Sequence, residues 1–140
     1  MEFQVVYNQN DQMVLFSGSM RPKSKHELQD AIVTLTKASE KAINMLYLNF
    51  NRLEFINNLA FHELMKNIGL VLDSKPELQI KIIISSVIPW SRTKMSWLKQ
   101  FYKQISIEQY DNNFYPGQEV IENDHFIPVL RTQTNIVWEQ

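Results

Sequence analysis

The sequence has 140 residues, which is the usual size of one domain and long enough to bury a core. It contains no cysteine, which excludes disulfides, thiolate nucleophiles and cysteine metal sites and fits a reducing cytoplasm. The net charge of −1 gives no overall attraction to nucleic acid or anionic lipid, and we expect no signal peptide and no membrane-spanning segment.

The first fifty residues predict a hairpin, a helix and a strand. Residues 3–7 and 13–16 are rich in strand-forming residues and are separated by a polar turn. Ser24 is the predicted N-cap of the first helix, and Glu27 is expected to complete a capping box. Apolar and small residues then recur at helical spacing, at Leu28, Ala31, Ile32, Leu35, Ala38, Ser39 and Ala42. Residues 43–50 predict an interior strand, because both of its faces carry apolar side chains.

The next sixty residues predict two more helices that alternate with two more strands. After a predicted polar turn at residues 49–54, a second helix has its apolar side at Phe61, Leu64, Met65, Ile68 and Leu72. Gly69 inside this helix is expected to permit close packing. Residues 78–85 predict a strand, and Pro89 opens a third helix whose core stripe is Met95, Leu98, Phe101, Tyr102 and Ile105. Residues 106–110 predict the last strand.

The predicted order is β-β-α-β-α-β-α-β. Strands that alternate with helices indicate an α/β domain, and the opening hairpin makes its sheet mixed. We therefore predict a largely parallel sheet of four to five strands, covered by helices, over residues 1–110. Residues 111–140 are predicted to be a C-terminal extension made of a loop and two short strands, an appendage to the domain.

No pattern in the chain marks a catalytic residue, a metal site or a cofactor. The three histidines lack metal-ligand spacing, and three glycines are too few for a phosphate-binding loop. We therefore predict a protein that is not an enzyme. An enzyme with an unmarked active site is kept as the third hypothesis, in which His62 would share a pocket with a carboxylate of shifted pKa.

The start of the second helix is the first candidate binding surface. Asn57 and Asn58 are both good N-cap residues, because their side-chain oxygens can accept from free N–H groups of the first helical turn. An exposed helix N-terminus is also a docking surface that favours negative charge. The candidate partner-binding residues are Asn57, Asn58, Leu59, Ala60, His62 and Glu63.

The third helix is the alternative surface, because it combines basic and aromatic residues. Its members are Arg92, Lys94, Lys99 and Lys103, together with Trp90 and Trp97. Such a stripe is typical of proteins that bind nucleic acid, lipid headgroups or an acidic protein. The competing interpretation is a solvated helix face with tryptophans that cap the core, and the near-neutral net charge favours it over nucleic-acid binding.

The order of elements and the segment around Asn57 resemble the STAS domain of anti-sigma factor antagonists. In that family an Asp-Ser-(Ser/Thr)-Gly signature lies where a strand leads into the second helix. Asn57 matches the Asp, Asn58 the phosphorylatable Ser, Leu59 the second hydroxyl residue and Ala60 the Gly. Residues 18–22 are also similar to the segment before the first helix in STAS-like biofilm regulators of the SiaC type.

The resemblance implies a cytoplasmic, bacterial signalling protein that binds a kinase-type (HATPase-type) anti-sigma partner, and it leaves a homodimer open. In the family, phosphate on the Ser or Thr breaks that complex. Asn58 has no hydroxyl group, so this charge switch is not available at the usual position. We therefore expect constitutive binding or regulation elsewhere, with Ser85, Ser86 and Ser91 as substitute acceptors or, alternatively, as parts of an ordinary turn after a strand.

Overall fold

The computed structural model describes residues 2–88, 90, 91, 94, 95, 100 and 102–110. Among these residues, five strands form one mixed sheet in the order β1-β2-β3-β4-β5, which confirms the predicted α/β class. The main elements are β1 Phe3–Asn8, β2 Met13–Met20, α1 Gln29–Lys41, β3 Met45–Ile56, α2 Asn58–Ser74, β4 Gln79–Ser85 and β5 Ile105–Tyr110. The predicted C-terminal extension, residues 111–140, lies outside the described residues.

The helices pack on one face of the sheet because of the way the strands are connected. β1 and β2 are antiparallel, whereas β2, β3, β4 and β5 are successive parallel neighbours. Parallel crossovers are almost always right-handed, and here each one moves in the same direction across the sheet, so the connecting helices fall on the same side. One hydrophobic cluster accordingly joins the buried side chains of α1, α2 and Met95 to this helix-covered face of the strands.

The predicted apolar stripes of α1 and α2 are confirmed, whereas Leu98 and Phe101 of the third predicted stripe lie outside the described residues. Leu28, Ala31, Leu35, Ala38 and Ala42 are buried along α1, and the apolar side of α2 is buried as the spacing predicts. Gly69 faces Tyr102, where an added Cβ atom would lie 2.6 Å from the phenolic oxygen, so glycine does permit close packing. None of the described helices is long and apolar enough to cross a membrane.

The predicted polar turn at residues 49–54 is wrong, because β3 continues to Ile56. Its pairing with β2 runs from Tyr47 opposite Met13 to Ile56 opposite Met20, with two register shifts. Asn49 lies fully buried in this strand, and its side-chain oxygen accepts from the backbone N–H of Asn51 at 2.8 Å. A polar composition predicts a turn, but the long parallel ladder overrides that local preference.

Two details of the helix ends also differ from the prediction. Ser24 makes no side-chain capping bond, and the Glu27 carboxylate instead accepts from the backbone N–H of Lys23 at 3.2 Å. The capping box is replaced by a 3-10 turn at Lys25–Leu28 that leads into α1. Ile105, predicted in the third helix, is the first residue of β5.

Candidate functional site

The N-terminus of α2 is held in place by Asn57. Its side-chain oxygen accepts from the N–H of Ala60 at 2.9 Å, as a helix N-cap does, and its side-chain amide donates to the carbonyl of Pro22 at 3.0 Å. Its backbone N–H donates to the carbonyl of Met20 at 2.9 Å. Asn57 therefore joins the first turn of α2 to the segment that follows β2. Both the oxygen and the NH2 group of its side-chain amide are used in these hydrogen bonds.

Asn58 is the exposed residue of the pair, and a cation from another part of the chain contacts it. The Nζ of Lys94 donates to the Asn58 side-chain oxygen at 3.2 Å and lies 5.0 Å from the centre of the Phe61 ring. The first candidate surface and the alternative basic surface are thus adjacent in space, although 36 residues separate these two positions. The positive charge lies at the helix end where N–H groups point outward, which makes this end attractive to anionic groups.

Two further contacts surround this helix end. The Arg21 guanidinium carbon lies 4.2 Å above the centre of the Phe55 ring, whose side chain stays partly exposed at the end of β3. The Nζ of Lys25, in the turn before α1, lies 3.5 Å from the carboxylate of Glu63 in the second turn of α2. We call this set of residues the α2 entry surface: Arg21, Lys25, Phe55, Asn58, Leu59, His62, Glu63 and Lys94.

Of the predicted partner-binding residues, Asn57 serves as the N-cap of α2, and the structure divides the other five into two groups. Asn58 and His62 are exposed, and Leu59 and Glu63 are half-buried, so all four are accessible on the α2 entry surface. Ala60 is completely buried, so its side chain belongs to the core and cannot meet a partner. Sequence reasoning did not place Arg21, Lys25 and Phe55 on this surface. The only signal for them was the resemblance of residues 18–22, which include Arg21, to a family segment.

The alternative basic surface is only partly described. The rings of Trp90 and Phe50 are perpendicular, with their centroids 6.1 Å apart. The indole N–H of Trp90 donates to the carbonyl of Leu53 at 2.7 Å. Trp90 therefore serves the core, as the competing interpretation expects. Lys103 precedes β5 and so lies at the edge of the sheet where the parallel strands begin, whereas Lys94 lies at the edge where they end. Arg92, Trp97 and Lys99 lie outside the described residues.

Ser85, at the end of β4, and Ser91 stabilise the turn that follows this strand. Ser85 and Ser91 are almost completely buried. The Ser85 hydroxyl accepts from the N–H of Val87 at 3.1 Å, and the Ser91 hydroxyl donates to the carbonyl of Ile88 at 3.1 Å. Buried hydroxyls that are bonded to the backbone in this way are poor substrates for a kinase, so this geometry favours the turn over the substitute phosphosite for these two residues.

The arrangement carries no recognisable catalytic constellation in the part of the chain that the structure describes. His62 is exposed, and the cavities between α1 and α2, beside Arg21 and beside Ile43 are lined by other residues. Among the described residues no group of three His, Asp or Glu side chains is placed to hold a metal ion. The chain matches no protein-family model, no curated protein and no solved structure.

Proposed function

We propose that this protein is a cytoplasmic, STAS-like regulator that binds a protein partner through the α2 entry surface and performs no catalysis. The order of the strands and helices and the position of α2 directly after β3 support this proposal. The proposed partner is a kinase-type anti-sigma protein, as the resemblance of the segment around Asn57 implies.

The contact between Lys94 and Asn58 is the observation that carries the proposal. It sets a cation at a helix N-terminus, where outward-pointing N–H groups already favour negative charge. Phe55, with Arg21 stacked on it, adds an exposed aromatic ring of the kind that often anchors a protein interface. A partner with acidic groups beside an apolar contact would complement this surface.

The surface also accounts for binding that needs no phosphate switch. Asn58 offers no hydroxyl, and its neutral amide keeps Lys94 at its side. A new negative charge at position 58 would pair with Lys94 and repel acidic groups of the partner. In this protein the partner complex would therefore form constitutively, and Asn58→Asp would imitate the phosphorylated state of a switching relative.

The test is capture of partners from the native lysate by tagged wild type, by Asn58→Asp and by Asn44→Asp. Asn44 is exposed just before β3, at the opposite edge of the sheet, so Asn44→Asp adds the same charge far from the α2 entry surface. Asn58→Asp places a carboxylate near the start of α2, where the side-chain oxygen of residue 58 lies 3.2 Å from the Lys94 ammonium. This charge should stabilise the fold by about 0.3–1 kcal/mol, so a loss of binding by Asn58→Asp would not be due to unfolding.

We expect wild type and Asn44→Asp to capture the same ATP-binding kinase-like protein, and Asn58→Asp to bind it at least about tenfold more weakly, a change of about 1.4 kcal/mol. Equal capture by all three proteins would refute the proposed surface. Recovery of nucleic acid alone, released steeply by salt, would instead favour the basic third helix.

A further inference from the structure

One edge of the sheet is formed by β1, which pairs with β2 on its inner side. Among the described strands none lies beyond β1, so one row of its backbone N–H and C=O groups has no partner in the described sheet. Such a row can pair with a further strand, and proteins often block it with charged residues or proline. The sequence of β1, Phe-Gln-Val-Val-Tyr-Asn, contains neither. This edge is therefore competent for the addition of a strand.

The hairpin register shows which backbone groups of β1 point outward. The N–H of Ser19 donates to the carbonyl of Glu2 at 3.0 Å, and these two residues continue the β1–β2 register in which Phe3 lies opposite Gly18. Hydrogen-bonded and non-hydrogen-bonded pairs alternate along an antiparallel ladder, so every second residue counted from Glu2 points its backbone groups at β2. The residues between them direct their N–H and C=O groups away from the sheet: Phe3, Val5 and Tyr7.

The same three residues form the apolar row of β1. Their side chains are half-buried and pack against the core on the helix-covered side, whereas the alternate residues of β1 are exposed, Val6 by 50%. The outward backbone groups and the apolar side chains thus belong to one set of residues. A strand added at this edge would extend the hydrogen-bond ladder and the apolar row together.

We infer that β1 pairs with β1 of a second copy of this chain, antiparallel and with Val5 opposite Val5. The two-fold axis passes through this pair, perpendicular to the sheet, and sets Phe3 of each copy opposite Tyr7 of the other. All three pairs join residues whose backbone groups point outward, so they form about six hydrogen bonds. The two sheets become one continuous sheet with the helices of both copies on the same side.

The side chains of β1 favour its own copy as the occupant. Two cross-strand pairs of Phe3 with Tyr7 flank the central Val5 pair, and aromatic pairs of this kind stabilise a sheet. β1 carries no charge, so it meets its copy without like-charge repulsion, and the acidic Glu2 before it lies opposite Asn8. A shift of two residues in either direction would leave only two of the three pairs within the strand, so this register forms the most hydrogen bonds.

The absence of cysteine allows the register to be tested in the full chain with single thiols. In the dimer, Val5→Cys sets its Cα atom about 5.5 Å from that of its copy, where a disulfide can close. Val6→Cys is the matched control, because the two Cα atoms at position 6 lie diagonally, about 7–8 Å apart, which is too far for a disulfide. Position 6 is the more exposed of the two, so chance collisions would favour the control.

We expect mild oxidation to link Val5→Cys into dimers at least about tenfold faster than Val6→Cys. Valine and cysteine are similar in size, and both variants keep the backbone of β1 intact. Equal rates, or faster linkage of Val6→Cys, would overturn the inference, because they would show collisions between exposed thiols and no defined pairing of the strands.

Sedimentation equilibrium of the chain without cysteine tests the dimer independently. Val6→Lys sets two like charges about 7–8 Å apart near the centre of the interface, and lysine is a residue that blocks natural strand edges. Val87→Lys makes the same replacement at an exposed valine after β4, which β2 and β3 separate from β1.

We expect wild type and Val87→Lys to dimerise with the same dissociation constant, and Val6→Lys to dimerise at least about tenfold more weakly. Equal dimerisation of all three proteins would overturn the inference. A wild type that stays monomeric up to about 0.5 mM would also overturn it and would leave the edge to a strand of another protein.

Discussion

The ammonium group of Lys75 closes the carboxyl end of α1, and Lys75→Met tests what this contact contributes to stability. Its Nζ donates to the carbonyl of Ser39 at 2.6 Å, of Ala42 at 3.0 Å and of Glu40 at 3.2 Å. The last carbonyls of a helix have no partner within it, and they carry the negative end of its dipole. Methionine keeps the length of the side chain and removes only the charged donors.

The expected loss follows from these contacts. Hydrogen bonds that involve a charged group contribute about 1.5–3 kcal/mol, and a cation at an exposed helix C-terminus contributes about 0.3–1 kcal/mol. Water will replace part of the ammonium, because the contact with Glu40 lies at the surface. We therefore expect Lys75→Met to lower the free energy of unfolding by about 1–2 kcal/mol, or Tm by roughly 3–8 °C in a chain of this size.

Urea unfolding followed by circular dichroism measures this loss, with Lys66→Met as the control. Lys66 is exposed on α2, the helix that Lys75 directly follows. Its replacement therefore removes the same charge from the chain at a position away from the end of α1. Added salt should reduce the difference between wild type and Lys75→Met. A loss for Lys75→Met that is no larger than the loss for Lys66→Met would refute the reasoning.

Two further predictions concern tyrosines. Gly69→Ala brings a Cβ atom 2.6 Å from the Tyr102 oxygen, so an overpacking cost of about 1–3 kcal/mol opposes the gain of about 1 kcal/mol in helix propensity. We therefore expect urea unfolding to show a higher free energy of unfolding for Gly69→Ala only when it is combined with Tyr102→Phe. Equal effects of Gly69→Ala with and without Tyr102→Phe would contradict the contact. Burial is the main cause that raises the pKa of Tyr110 above its usual value near 10, and the 2.6 Å hydrogen bond to Glu108 raises it further. The unfolded chain therefore releases this proton at a lower pH than the folded one, so the free energy of unfolding falls as pH rises above about 10. Tyr110→Phe should remove up to about 1.4 kcal/mol per pH unit of that fall, and an unchanged slope in urea unfolding between pH 9 and 11 would argue against it.

The sequence by itself determined the elements whose stability is local. The stripe of buried residues in α1 and in α2 repeats at three and four residues, which only a helix can bring to one side. The cap at Asn57 is equally local, because its side chain bonds a residue three positions later. Strand β4 was predicted correctly since its alternating isoleucines favour a strand wherever it pairs.

Only the tertiary structure decided the features that depend on distant partners. Residues 49–56 are a strand because β2 offers a parallel ladder, although their composition predicts a turn. Lys94 reaches Asn58 across 36 residues, and Lys75 caps a helix that ends 34 residues before it, so no local pattern could indicate either contact. The separate cluster of Met13, Ile83 and Tyr110 is of the same kind, because an alternating strand pattern shows which side chains share a face but not which strands lie side by side.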